Sequence, residues 1–249
     1  FPDGFGIPVS SHLPMSLVTQ VQNLNEPEVD ISVRHKVSIS YLRDSEVTRP
    51  MVPLFQGAVE GFKTLDAASP HYGVAMGETD ADMLGPGCSV GQAAIAGDMD
   101  LDAHGQRFTA HWQVPPGEET NVTNVTRFLN LPYDTTAHYI AVHLHPYATS
   151  LTLRDRTLDK VVYSARATNT SERVGLEEVE YYSGAEGIPL FKDHEYELVS
   201  VYNNTSDITV DSMAVMYLYM KDQRYTKPSM EAWTSFSPSA SQASVPGGM

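Results

Sequence analysis

His143 and His145 are two residues apart in the run His138-Tyr-Ile-Ala-Val-His143-Leu-His145-Pro146. In an extended strand alternate side chains share a face. Ile140, Val142 and Leu144 therefore form one apolar face, suited to a core. His143 and His145 fall on the other, with Tyr139 and Ala141, and two imidazoles so placed can reach one ion. Pro146 ends the ladder directly after them. A second run, Val210-Asp-Ser-Met213-Ala-Val-Met216-Tyr-Leu-Tyr-Met220, divides in the same way. Ala214, Met216, Leu218 and Met220 make the core face, and Met213 lies opposite with Asp211, Val215 and Tyr217.

If the two strands are neighbours in a sheet, His143, His145 and Met213 converge. Two imidazoles and a thioether form a soft, incomplete donor set. It suits copper cycling between Cu(I) and Cu(II), and it suits zinc poorly. Three donors leave a coordination position open for water, substrate or dioxygen. Taken singly the motifs are bland: a His-x-His pair also describes a wetted surface pair, and a Met in a Tyr-rich strand usually packs.

The elements that must position these groups are short. Alternating runs rich in Val, Ile, Thr and Tyr, punctuated by Gly, Pro, Asn and Asp, recur along the chain, while helical periodicity is nearly absent. The pattern predicts strands at Met15–Gln22, Ile31–Tyr41, Ala58–Leu65, Arg107–Gln113, Thr123–Asn130, His138–His145, Ser150–Asp155, Lys160–Ala167, Tyr196–Tyr202 and Ser212–Met220. The expected class is all-β, as one or two jelly-roll β-sandwiches. Residues 1–105 read as an N-terminal β region with a Gly/Asp-rich insertion over Ser69–Gly105. Residues 106–225 read as the candidate metal-binding sandwich, and 226–249 as a Ser/Pro/Gly-rich tail.

Composition narrows the partners. The 249 residues carry a formal charge of −15. That disfavours nucleic acid, which demands a basic footprint, and adhesion to anionic lipid. No apolar run approaches the roughly 20 residues of a membrane helix. A lone cysteine, Cys88, excludes an intrachain disulfide. Five sequons, beginning at Asn121, Asn124, Asn169, Asn203 and Asn204, are compatible with passage through a secretory pathway. The chain opens at Phe1 without an initiator Met, which reads as a processed chain or a fragment.

Together, Val114-Pro-Pro-Gly-Glu118, the His143-Leu-His145 strand and Asp211-Ser-Met213 ahead of a Met/Tyr-rich strand resemble the second domain of the ascorbate-dependent copper monooxygenases, the peptidylglycine and dopamine β-type enzymes. The likeness covers about Arg107–Met220. It implies a secreted protein of two packed jelly rolls with one copper each. The copper held by His143, His145 and Met213 would be the one where dioxygen meets a small-molecule or peptide substrate. Gly4-Phe-Gly-Ile-Pro8 and Leu17–Asn23 resemble the last strands of the family's first domain. There Gln22 stands where the family has a histidine for the second copper, and no adjacent His-His pair occurs in the chain. A missing upstream segment or a partner chain would have to supply that site. Two readings follow: a copper-dependent monooxygenase-like oxidoreductase, or a non-catalytic extracellular structural or binding module that keeps the fold, with or without the metal.

Further candidates are weaker. His111, just before the Pro-Pro-Gly turn, Tyr139 and Asp211 are candidates for groups beside the metal ligands, and His111 also for a fourth ligand or a packed strand residue. Asp98, Asp100 and Asp102 match the first half of a calcium loop but lack its Gly and its closing Glu. His12, His35, His71, His104 and His194 show no ligand spacing. No nucleophile elbow, phosphate loop, His-Glu-x-x-His or Cys-x-x-Cys motif occurs.

Overall fold

The computed structural model describes residues 1–64 and 108–227, apart from Ser16, Val18, Gln20, Gln22, Pro27 and His111. Cys88, Asp98, Asp100, Asp102, His71 and His104 lie outside the described residues, as do nearly all of the insertion and of the tail.

The described chain is all-β. Its strands are β1 (Phe5–Gly6), β2 (Val52–Glu60), β3 (Lys63–Thr64), β4 (Phe108–Thr109), β5 (Trp112–Val114), β6 (Gly117–Asn124), β7 (Thr135–Leu144), β8 (Ala148–Asp155), β9 (Lys160–Asn169), β10 (Leu176–Val179), β11 (Tyr182–Leu190), β12 (Tyr196–Asn204), β13 (Val210–Ser212) and β14 (Ala214–Lys221). One α-helical turn, α1 (Thr126–Leu129), follows β6, and Asn130 closes it in the left-handed region at φ 37°. Asn tolerates that conformation better than most residues.

Two five-stranded sheets carry the fold. Sheet one runs β1-β2-β14-β7-β11 and sheet two runs β10-β9-β8-β12-β6. The pairs β13-β5 and β3-β4 stand apart as short ladders. Although β2 precedes residue 105, it pairs with β14 and so shares a sheet with strands of the C-terminal half.

Alternation explains the packing. Ile140 and Leu144 of β7, Ala214, Met216, Leu218 and Met220 of β14 and Val59 of β2 turn inward. They meet Leu151 and Leu153 of β8 and Tyr196, Leu198 and Tyr202 of β12, with Trp112 buried among them. The opposite face of sheet one presents Tyr139, Ala141 and His143 on β7 and Val215, Tyr217 and Tyr219 on β14, matched by register.

The alternation breaks near His138. The register of β7 shifts against β14 between Tyr219 and Met220 and against β11 between Ser183 and Ile188. Ala137 and His138 are consequently both buried. Nδ1 of His138 lies 3.0 Å from the Gly184 carbonyl and Nε2 lies 2.7 Å from the Thr136 hydroxyl. With both nitrogens engaged, the ring fits a neutral tautomer donating from Nδ1. Burial lowers its pKa, opposed by the Gly184 carbonyl. Gly187 takes φ +73° directly against this ring.

Three expected strands are not formed as drawn. Thr123–Asn130 keeps only Thr123 and Asn124 as the end of β6 and then turns into α1. Ile31–Tyr41 is irregular and exposed throughout, and the described residues of 15–22 have no regular structure. β10 and β11 were not anticipated by the pattern.

Candidate metal site

β7 and β14 are direct neighbours: His143 is opposite Val215, and Leu144 opposite Ala214. Continued by one residue, that register sets His145 beside Met213. The two sequence runs that carried the candidate donors therefore do lie side by side.

The imidazoles of His143 and His145 stand with ring centroids 5.3 Å apart and planes at 83°. His145 is 8% exposed. Its Nδ1 lies 3.0 Å from Oδ2 of Asp211. At that distance the carboxylate favours a proton on Nδ1, which leaves Nε2 as the lone-pair nitrogen. Nε2 of His143 is buried and has no hydrogen-bond partner among the described residues. A buried imidazole nitrogen without a partner is costly unless something else occupies it.

Met213 is fully buried at 0% exposure, yet it does not belong to the core cluster between the sheets. Its backbone is tightly held. β13 pairs with β5, setting Asp211 opposite Gln113 and Ser212 opposite Trp112. The Ser212 hydroxyl donates to the Trp112 carbonyl at 2.9 Å. On the other side of the link, the Tyr202 hydroxyl donates to the Met213 carbonyl at 2.6 Å. Burial pushes the Tyr202 phenol well above its ordinary pKa, so it stays a neutral donor at any physiological pH. Its ring meets Trp112 edge-on at 6.1 Å.

Of the three candidate neighbours, Asp211 is in place. His111 lies outside the described residues. Tyr139 is on the same face of β7 but four residues away from His143, about 13 Å along a strand. There it packs with Tyr219, Phe1 and Tyr181 at 5.5, 5.4 and 5.8 Å. His194 forms a different pair, with Nδ1 2.6 Å from Oδ2 of the buried Asp155.

No family model, curated protein or solved structure matches this chain. The site is thus read from its own chemistry. Among the described residues no three His, Cys, Asp or Glu side chains are gathered so as to hold a metal ion. Beside the imidazole pair, the register of β7 and β14 brings the Met213 position next to His145.

Two residues that sequence reasoning passed over belong to this region. Tyr202 fixes the Met213 backbone, and its only sequence signal was its inward parity on β12. Glu60 is buried at 7% exposure and pairs with Val215, which pairs with His143. The three form a row across one sheet face. An acidic residue closing a mostly apolar strand was a visible signal, but nothing in the sequence says which strand lies next to it.

Proposed function

We propose that this chain is a copper-binding β-sandwich protein of the ascorbate-dependent monooxygenase kind, with His143, His145 and Met213 as ligands. The observation that carries the reading is the buried, unpartnered Nε2 of His143 beside the His145 ring, on the strand whose register leads to Met213. The strand order supports the finer fold assignment. Numbering β2, β6, β7, β8, β9, β11, β12 and β14 as one to eight, the sheets run 1-8-3-6 and 5-4-7-2, the winding of a jelly roll.

His143 and His145 would bind through Nε2, and Asp211 would hold the His145 ring in the tautomer that exposes it. Met213 would supply a soft donor favouring Cu(I). Copper in such a set supplies one-electron redox chemistry toward dioxygen. The chain's own part is to fix the imidazoles on a rigid strand and to leave one side of the donor set open to a small-molecule or peptide substrate. Secretion fits this reading and the sequons.

A second reading has one specific observation in its favour. Gln22 replaces the family's electron-site histidine, and the chain has no His-His pair. A binding module that holds the metal without hydroxylating is then the alternative. Metal analysis of the purified chain tests the shared core of both: about one copper per chain is expected, lost in the His143→Ala/His145→Ala double variant with the β circular dichroism retained. Full copper occupancy in that variant places the metal elsewhere. Ascorbate-dependent oxygen uptake then separates enzyme from module.

A further inference from the structure

We propose that Asn124 and Asn203 are acceptors for N-linked glycans, and that the sequons at Asn121, Asn169 and Asn204 are silent in the folded protein. The five share one sequence pattern, and the fold treats them differently.

Asn204 is 2% exposed and spends both amide protons, donating from Nδ2 to the Val114 carbonyl at 3.0 Å and the Ile208 carbonyl at 2.8 Å. Its Oδ1 accepts from the Ser206 amide and hydroxyl at 3.1 and 2.6 Å. Asn121 is 7% exposed, and its Nδ2 donates to the Phe62 carbonyl at 3.2 Å. The half-buried Asn169 ties down the turn after β7: Oδ1 accepts from the Tyr147 amide at 2.5 Å and Nδ2 donates to the Ala148 carbonyl at 2.8 Å. A sugar carbon on Nδ2 of Asn204 would remove one of its two hydrogen bonds, one on the buried Asn121 would displace packed neighbours, and one on Asn169 would have to fit beside the turn that its half-buried amide holds.

Asn124 and Asn203 are exposed. Oδ1 of Asn124 accepts from the Thr126 amide at 3.1 Å, which turns the side chain without using Nδ2. Asn203 is held only by its backbone, whose amide donates to the Tyr147 carbonyl at 2.8 Å. Asn203 and Asn204 occupy overlapping sequons, and strand parity decides between them: Asn203 points out and Asn204 in.

The placement is also consistent across the sheet. Asn124 pairs with Glu197 and Asn203 with Glu118, at opposite ends of the β6-β12 ladder. Both face away from sheet one, about 20 Å apart along the strands. They stand on the side of the sandwich opposite His143 and His145, so glycans there leave the candidate metal face clear. β6 is an edge strand, and Val122 between them is 55% exposed. A bulky polar group at Asn124 blocks pairing of that edge with another chain.

The reaction is a group transfer from a lipid-linked oligosaccharyl pyrophosphate. A bond forms between sugar C1 and Nδ2, the C1–O bond to pyrophosphate breaks, Nδ2 loses one proton, and the lipid pyrophosphate leaves. Copper plays no part in it, so the proposal stands or falls apart from the metal reading.

The test is expression of the full chain behind a secretion signal in a glycosylating eukaryotic host. The glycans are then removed by amidase in heavy-oxygen water, and Asn-to-Asp conversion is mapped by mass spectrometry. Conversion is expected at Asn124 and Asn203 only. Asn124→Gln and Asn203→Gln should each remove one glycan, as should Thr205→Ala. Ser206→Ala, which destroys only the Asn204 sequon, should remove none. If the chain is not secreted, the same count is made on chain translocated into microsomes. Modification at Asn121, Asn169 or Asn204 in folded secreted protein, or none at Asn124 and Asn203 in either preparation, overturns the proposal. Modification at only one of the pair overturns it for the other.

Discussion

Asp211 offers the sharpest test of the candidate metal site, because its two effects, on copper and on folding, are read by separate assays. Its Oδ2 lies 3.0 Å from Nδ1 of His145, with 29% of the Asp211 side chain exposed and 10% of the His145 side chain. Both carboxylate oxygens are nonetheless shielded from water, so removing the carboxylate also costs folding stability, by up to about 3 kcal/mol. As an orienting partner of a ligating imidazole it also acts on the metal, since loss of such a group costs roughly 10- to 100-fold in metal affinity. That is about 1.4 to 2.7 kcal/mol. Asp211→Asn keeps the shape and one acceptor oxygen and loses the charge, so it should sit near the tenfold end. Asp211→Ala loses both and should approach a hundredfold. The assay is competition with a chelator, run for Cu(I) and Cu(II) separately, beside urea unfolding of the metal-free proteins. Copper affinity unchanged in Asp211→Ala, with the fold intact, would refute the orienting role. A stability loss with copper affinity unchanged would show that the carboxylate holds the β13–β14 link rather than the ligand.

Three further outcomes are expected. Met213→Leu conserves volume at a fully buried position, so unfolding should shift by less than about 1.5 kcal/mol, while Cu(I) affinity falls and Cu(II) binding by the imidazoles persists; equal Cu(I) affinity would remove Met213 from the donor set. Gly187→Ala should destabilise by at least about 1–2 kcal/mol from the left-handed backbone alone, because its φ is +73° and the new Cβ would lie 2.6 Å from His138 Cε1; urea midpoints check this. Burial raises the Asp155 pKa, but the His194 ring at 2.6 Å and the Leu158 amide at 3.0 Å outweigh it, leaving the pKa below the ordinary 3.8. The folded pKa is thus lower than the unfolded one. Its stabilisation is complete above the unfolded value and is lost as pH falls through the folded value. Asp155→Asn should lower stability at neutral pH and flatten the acid limb of a plot of urea midpoint against pH.

Much of this arrangement was legible because strand parity is a strict code. Ile140 and Leu144 against His143, and Met216 and Leu218 against Tyr217, sort by face from the sequence alone. Parity fails where a strand is not straight or has no partner. Ile31, Val33, Val37, Ile39 and Tyr41 alternate as regularly as any true strand, yet they are exposed and unladdered. Periodicity describes one chain segment and says nothing of what pairs with it. The reverse error hid β11, whose Gly184, Gly187 and Pro189 read as punctuation but build a bulge around His138. For Met213 the face was readable and the burial was not, because burial depends on segments brought over the outer side of sheet one. Tyr202 and Glu60 were invisible as parts of the site for the same reason: neighbours across sheets and ladders are set by topology, which a one-dimensional pattern does not carry.

The insertion of β14 between β2 and β7 has a consequence for the order of assembly. During synthesis β2, β7 and β11 leave the ribosome well before their central member exists. Until Lys221 is out of the exit tunnel, β2 has no long neighbour and β7 offers an open edge. Sheet one therefore closes last, by threading its final strand between two that have already waited, which is a slow, non-local step. A nascent chain stopped before Ala214 should need chaperone cover. His143 and His145 are made well before Met213, so under the proposed copper reading a metal offered during synthesis would meet the imidazoles before the thioether.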